Sequence, residues 1–94
     1  MAYFKAIYTN EAQADLGRLE RVVRERIVLK INDILKMENP LFAAKKLKNL
    51  EIPHYRFRVG DYRVIFKIDR RTGEIVILVI VKVEHRKDVY KQKA

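Results

Sequence analysis

The chain contains no cysteine and no serine, and only three glycines and two prolines in 94 residues. Without cysteine there is no disulfide framework, no thiolate metal site and no thiol nucleophile. Without serine there is no seryl nucleophile, and three glycines cannot build a glycine-rich phosphate loop. The two histidines, His54 and His85, show neither an HExxH pattern nor any other paired-ligand spacing, so no metal and no cofactor is expected. Long apolar runs are missing as well. The longest, 75–81, has seven residues, against the roughly 20 that a membrane-spanning helix needs. The opening residues lack a signal-peptide pattern, with aromatics ahead of the first lysine and a polar stretch soon after. A soluble protein of the reducing cytoplasm is the expectation.

Acidic residues are also short. Twenty-one Lys and Arg face twelve Asp and Glu, for a net charge of +9. The excess is even, with ten cations against six carboxylates in residues 1–50 and eleven against six in 51–94. No basic tail is appended to a neutral body. Such a chain is built to meet a polyanion: nucleic acid first, an acidic protein next, an anionic membrane surface a distant third. The length suits one domain, 1–94, and the 49% hydrophobic content suits a globular core.

The organising stretch is 55–68. It alternates with period two on both sides of Gly60-Asp61, the pattern of a two-residue hairpin. That turn sets Val59 opposite Tyr62, Arg58 opposite Arg63, Phe57 opposite Val64 and Arg56 opposite Ile65. One face then carries Tyr55, Phe57, Val59, Tyr62, Val64, Phe66 and Ile68, ready to pack on a core. The other carries Arg56, Arg58, Arg63 and Lys67 with Ile65. Like charges directly across a ladder destabilise it, and within the hairpin this face holds no carboxylate. A solvated basic face is the plain alternative; a phosphate-binding surface explains the opposed arginines.

Around the hairpin the chain reads as α+β. A first strand spans 3–8, and Asn10 with Gln13 resembles a capping box for a helix over 11–19. A second helix over 21–37 has Val23, Ile27, Ile31, Ile34 and Leu35 at three- and four-residue spacing. Its mixed charges suit a solvated outer face. Asn39-Pro40 opens a short helix or turn over 41–48 that directs Leu41, Phe42 and Leu47 inward. Its Lys45, Lys46 and Lys48 touch either a polyanion or solvent. A turn over 69–73 leads to a long strand, 74–83, apolar on both faces and so central in the sheet. Polar residues return together after Lys82, and 86–92 suits one or two helical turns.

A cluster of Arg, Tyr and His without metal fits one reaction well: RNA cleavage by the substrate's own 2′-hydroxyl. The protein then has to align the nucleophile, neutralise phosphate charge and move protons. Arginines supply charge and bidentate contacts but cannot accept a proton. His85, with an ordinary pKa of about 6.5, is the candidate base, the alternative being an exposed strand-end residue. Tyr90 would stack on a base or protonate the leaving oxygen, the alternative being an anchor for the tail. Arg86, Lys82, Lys67, Lys45 and Lys46 are candidate substrate contacts.

The residues also resemble a known family. The Met-Ala-Tyr-Phe opening, the helical pair, Lys46-Leu47-Lys48-Asn49-Leu50, the hairpin with its Tyr-Arg-Val-Ile-Phe, and the closing His85-Arg86-Lys87-Asp88-Val89-Tyr90 are similar to the RelE/ParE superfamily of toxins, nearer its RelE branch. The resemblance implies a small, mainly antiparallel sheet of about four strands, two N-terminal helices on one face and a short C-terminal helix. It implies metal-independent cleavage of messenger RNA in the ribosomal A site, arresting translation until an acidic RelB-like antitoxin binds. It extends to operator DNA as a ligand of the toxin–antitoxin complex, and to no membrane. Carried over by motif, the basic active-site positions fall on Arg56, Arg58 and Arg63, the late tyrosine on Tyr90, and a strand-end basic residue on His85 or Arg86. Well-characterised RelE toxins have lysine at the first two positions. Arginine there shifts the base role toward His85, or else makes this chain a weak nuclease. A gyrase-poisoning toxin of the ParE type and a noncatalytic RNA-binding homologue are the competing functions.

Overall fold

The computed structural model describes residues 3–48, 50–70 and 75–87. Strand β1 (Tyr3–Tyr8) leads to helices α1 (Asn10–Gly17) and α2 (Arg21–Leu35), then a 3₁₀ turn (Pro40–Ala43) and four strands. These are β2 (Lys45–Lys46), β3 (Tyr55–Val59), β4 (Tyr62–Arg70) and β5 (Ile75–His85). They form one five-stranded sheet in the order β1-β5-β4-β3-β2. All neighbours are antiparallel except β1 and β5, which run parallel. The class is the α+β expected, with one strand more: Lys45 and Lys46 pair with Arg56 and Tyr55 rather than closing a helix.

The hairpin has the register that its alternation predicts, Val59 against Tyr62 through Phe57 against Val64. Gly60 supplies the turn with φ of +59°, a conformation that a residue with a Cβ takes only at a cost. The apolar hairpin face enters the core. Phe57 and Phe66 are fully buried with rings stacked at 4.5 Å, and Tyr55 stacks on Phe66 at 5.6 Å. Ile27, Ile31 and Ile34 of α2 and Ala12 and Leu16 of α1 close over Val64, Val76, Leu78 and Ile80. Both helices therefore cover one face of the sheet. The outer face of β5, at Ile77 and Val79, is only half-buried.

Two local expectations are corrected. The α1 cap is Thr9, one residue earlier than expected: its Oγ1 accepts the Ala12 N–H at 3.1 Å, while the Gln13 amide donates back to the Tyr8 carbonyl. Phe42, expected inside, is 85% exposed. The 3₁₀ turn ends at Ala43 and the chain turns extended, so Leu41 meets the core as expected and Ala44 does so in place of Phe42. The helices also stop two residues short of their predicted ends, at Gly17 and Leu35. The C-terminal helix is described only at Arg86 and Lys87, and Tyr90, like residues 71–74 of the β4–β5 turn, lies outside the described residues.

Candidate functional site

The side of the sheet away from the helices carries the basic residues in two adjacent rows. The first runs Lys45, Arg56, Ile65, Lys82 across β2, β3, β4 and β5; the second runs Arg58, Arg63, Glu84 across β3, β4 and β5. Directly opposed side chains have Cβ atoms about 4.5–5.5 Å apart and diagonal neighbours about 7–8 Å, still within reach of long side chains, so the arginines of one row bear on those of the next. Arg56 records this. Its guanidinium pKa is lowered from the ordinary value, first by partial burial and then by the charges of Arg58 and Arg63. It stays a cation at neutral pH. Lys67 extends the same face opposite Val79.

The end of β5 breaks the strand's alternation, and the reason is a β-bulge. Ile65 pairs with Lys82 but Phe66 pairs with Ile80, so Val81 is an extra residue in β5. One inserted residue sends every later side chain to the opposite face. Strict alternation from Ile77 and Val79 would put Val81, Val83 and His85 on the outer side. Instead Val83 is buried in the core and Lys82 and Glu84 turn outward. Contacts from the start of the chain hold this geometry. The Thr9 N–H donates to the Ile80 carbonyl at 3.0 Å, its hydroxyl to the Val81 carbonyl at 3.3 Å, and Asp15 Oδ2 accepts the Val83 N–H at 2.9 Å. Buried Asp15 is also paired with Arg18.

The bulge separates the predicted site residues. Arg56, Arg58, Arg63, Lys45, Lys67 and Lys82 share the outer face. His85 does not: it lies in the row of Val59 and Tyr62, on the helix-covered side. The candidate base therefore does not stand beside the Arg58–Arg63 pair. Lys46, opposite Tyr55, is also on that other side. Arg86 is at the hairpin turn, its N–H on the Asp61 carbonyl at 2.8 Å and its Nε 3.7 Å from the Asp61 carboxylate. Lys82 reaches Glu11 at 3.3 Å.

The residue that sequence reasoning missed is Glu84. It ends the supposedly carboxylate-free row, with its Oε1 3.6 Å from Arg63 Nε and its side chain only 8% exposed. A polar residue two positions after the first lysine of an apolar strand was the available signal, but its face depended on the bulge. Chemically the surface is a shallow basic platform with one buried counter-charge. It can bind a phosphodiester and stabilise added negative charge on it.

A family model described as the ParE toxin of the type II toxin–antitoxin system parDE matches residues 6–90. Toxin RelG of Mycobacterium tuberculosis (strain ATCC 25618 / H37Rv) is 29% identical over 86 residues, covering 90% of this chain and 93% of RelG. The toxin–antitoxin complex RelBE2 from Mycobacterium tuberculosis contains a chain similar to this one with a TM-score of 0.67 and 26% identity, covering 92% of this chain and 100% of that one. A chain of the RelB-RelE antitoxin–toxin complex from Methanococcus jannaschii gives 0.62 and 26%, covering 94% and 99%.

Proposed function

Because the chain belongs to the ParE toxin family of type II toxin–antitoxin systems, we propose that it acts as a RelE-type toxin, an endoribonuclease that cleaves messenger RNA in the ribosomal A site and arrests translation. The observation that carries this reading is the Arg58–Arg63 opposition beside Arg56 on the helix-free face. Like charges opposed across a ladder are destabilising, and Glu84 offsets only one of the three clustered guanidinium charges, so the scissile phosphate fits as the anion that balances the remainder.

In the reaction the 2′-oxygen attacks the adjacent phosphorus, the bond to the 5′-oxygen breaks, and a 2′,3′-cyclic phosphate and a 5′-hydroxyl result. The 2′-hydroxyl proton passes to water, and the 5′-oxygen takes a proton from Tyr90 or from water. Arg56, Arg58 and Arg63 neutralise the extra charge on the phosphoryl oxygens as the bond forms, and Lys45, Lys67 and Arg86 hold the flanking backbone. Tyr90 is the proposed partner of the leaving oxygen or of a neighbouring base. With His85 turned to the other side, alignment and charge carry most of the acceleration. The partner that silences the toxin is an acidic RelB-like antitoxin, as the solved complexes of similar chains suggest.

Primer extension on messenger RNA from ribosomes treated with the purified toxin tests this. Cuts within the A-site codon are expected. The competing reading, a gyrase poison, is favoured by the ParE description of the matching family. Double-strand breaks trapped by gyrase and uncut messenger RNA would overturn the nuclease in favour of that reading.

A further inference from the structure

We propose that Glu84 is a positioning residue for Arg63: it holds the Nε edge of the guanidinium so that the two Nη groups stay free for the scissile phosphate. This inference deepens the nuclease reading of the same face. Arginine has five N–H donors in one rigid plane, a single Nε–H on one edge and four on the Nη fork. The closest approach of the Glu84 carboxylate is to Nε, at 3.6 Å. That is an ion pair but longer than a hydrogen bond. Nε itself is buried with no hydrogen-bond partner. Glu84 therefore attracts the guanidinium without consuming its donors.

The need for such a group follows from the charges. Arg63 has Arg58 directly opposite on one side and Glu84 directly opposite on the other. Without Glu84, repulsion from Arg58 and Arg56 would push the Arg63 side chain toward solvent, where it has many rotamers of similar energy. With Glu84, attraction from β5 opposes that push and the guanidinium has a preferred plane before any substrate arrives. A donor aimed in advance does not have to reorganise when charge develops on the phosphate. The half-buried location strengthens the effect, because Arg63 is only 21% exposed and the carboxylate 8%. Coulomb attraction at such a site is stronger than at an open surface. The bulge at Val81 is what brings Glu84 to this row, so the backbone irregularity and the ion pair serve one arrangement.

The test uses the full chain with Glu84→Gln, which keeps the shape and removes the charge, and Glu84→Asp, which keeps the charge on a shorter arm. Two readouts are combined. The first is the Arg63 ¹⁵Nε–¹Hε resonance, assigned by its loss in Arg63→Lys, and it requires no catalysis. A resonance that moves and exchanges faster with water in Glu84→Gln is expected; one indifferent to the change overturns the pairing. The second is single-turnover cleavage of messenger RNA on saturating programmed ribosomes across a pH series. Misplacing a catalytic group by about 1 Å costs on the order of 10² in rate, so Glu84→Gln should lower the rate by up to that factor. The shape of the pH–rate profile should match that of the wild type, and Glu84→Asp should recover part of the rate. A rate that falls toward acid in the wild type and no longer does so in Glu84→Gln would make Glu84 the proton acceptor and overturn the positioning role. An unchanged rate in a variant of lowered thermal stability would make Glu84 merely structural, which also overturns it. If wild-type toxin leaves messenger RNA uncut, the nuclease reading falls, while the resonance still decides whether Glu84 orients Arg63.

Discussion

The rings of Tyr62 and His85 meet edge to face, with centroids 5.0 Å apart and planes at 87°. His85 Nδ1 also accepts the Lys87 N–H at 3.1 Å. The imidazole thus ties the end of β5 to the hairpin on the helix-covered side, while the arginines occupy the other.

The first prediction follows from that pair. His85→Gln should lower stability by about 0.5–1.5 kcal/mol, the worth of an edge-to-face contact, and leave the chemical step unchanged. Urea unfolding and single-turnover cleavage measure the two quantities. A rate collapse with intact ribosome binding would return His85 to the chemistry.

Arg63 is the proposed charge donor to the phosphate and pairs with a buried carboxylate. Arg63→Ala should therefore cost roughly 10²–10³ in cleavage rate and about 1–3 kcal/mol in stability, the penalty of leaving Glu84 buried and unpaired. Adding Glu84→Ala should restore most of the stability and none of the activity. Equal unfolding midpoints for the single and double variants would show that the two residues are not coupled.

Thr9 is joined to four separate backbone groups near the bulge and the α1 start. Thr9→Ala should cost about 0.5–2 kcal/mol, as loss of a helix cap does. It should also speed amide hydrogen exchange at Val83, next to the bulge. Exchange that quickens only in α1 would mean that the bulge holds its shape without Thr9.

Association with an acidic antitoxin should be fast at low salt and slow as salt rises, because a net charge of +9 steers an oppositely charged partner over about 10 Å at 0.1 M ionic strength. Stopped-flow binding with a cognate antitoxin peptide gives the rate directly. A rate independent of ionic strength would confine the basic face to RNA.

Much of this arrangement was legible residue by residue. Gly60-Asp61 between two alternating runs determined the hairpin, its register and the split into an apolar and an arginine face, because turn chemistry and period two act within a few residues. The isoleucines of α2 determined which side of that helix is buried for the same local reason. The resemblance carried by the hairpin and by His85–Arg86 pointed to the toxin family. The pairing of Lys45 and Lys46 with β3 was not legible, since two lysines have no strand signature and their ladder partners lie eleven and nine residues on. Nor was the parallel union of β1 and β5, which joins Tyr3 to Ile75 and leaves no mark in either strand alone.

The sequence by itself determined the charge, the hairpin and the identities of the arginines that face one another. Only the tertiary structure decided which residue of β5 stands beside them. Period two in an apolar strand assigns faces from any starting point, but a bulge resets the count, and this bulge depends on Thr9 and Asp15 meeting backbone groups about seventy positions later. Non-local hydrogen bonds of that kind are set by how α1 docks on the sheet. They exchange His85 for Glu84 at the arginine row, and so replace an expected proton acceptor with a counter-charge.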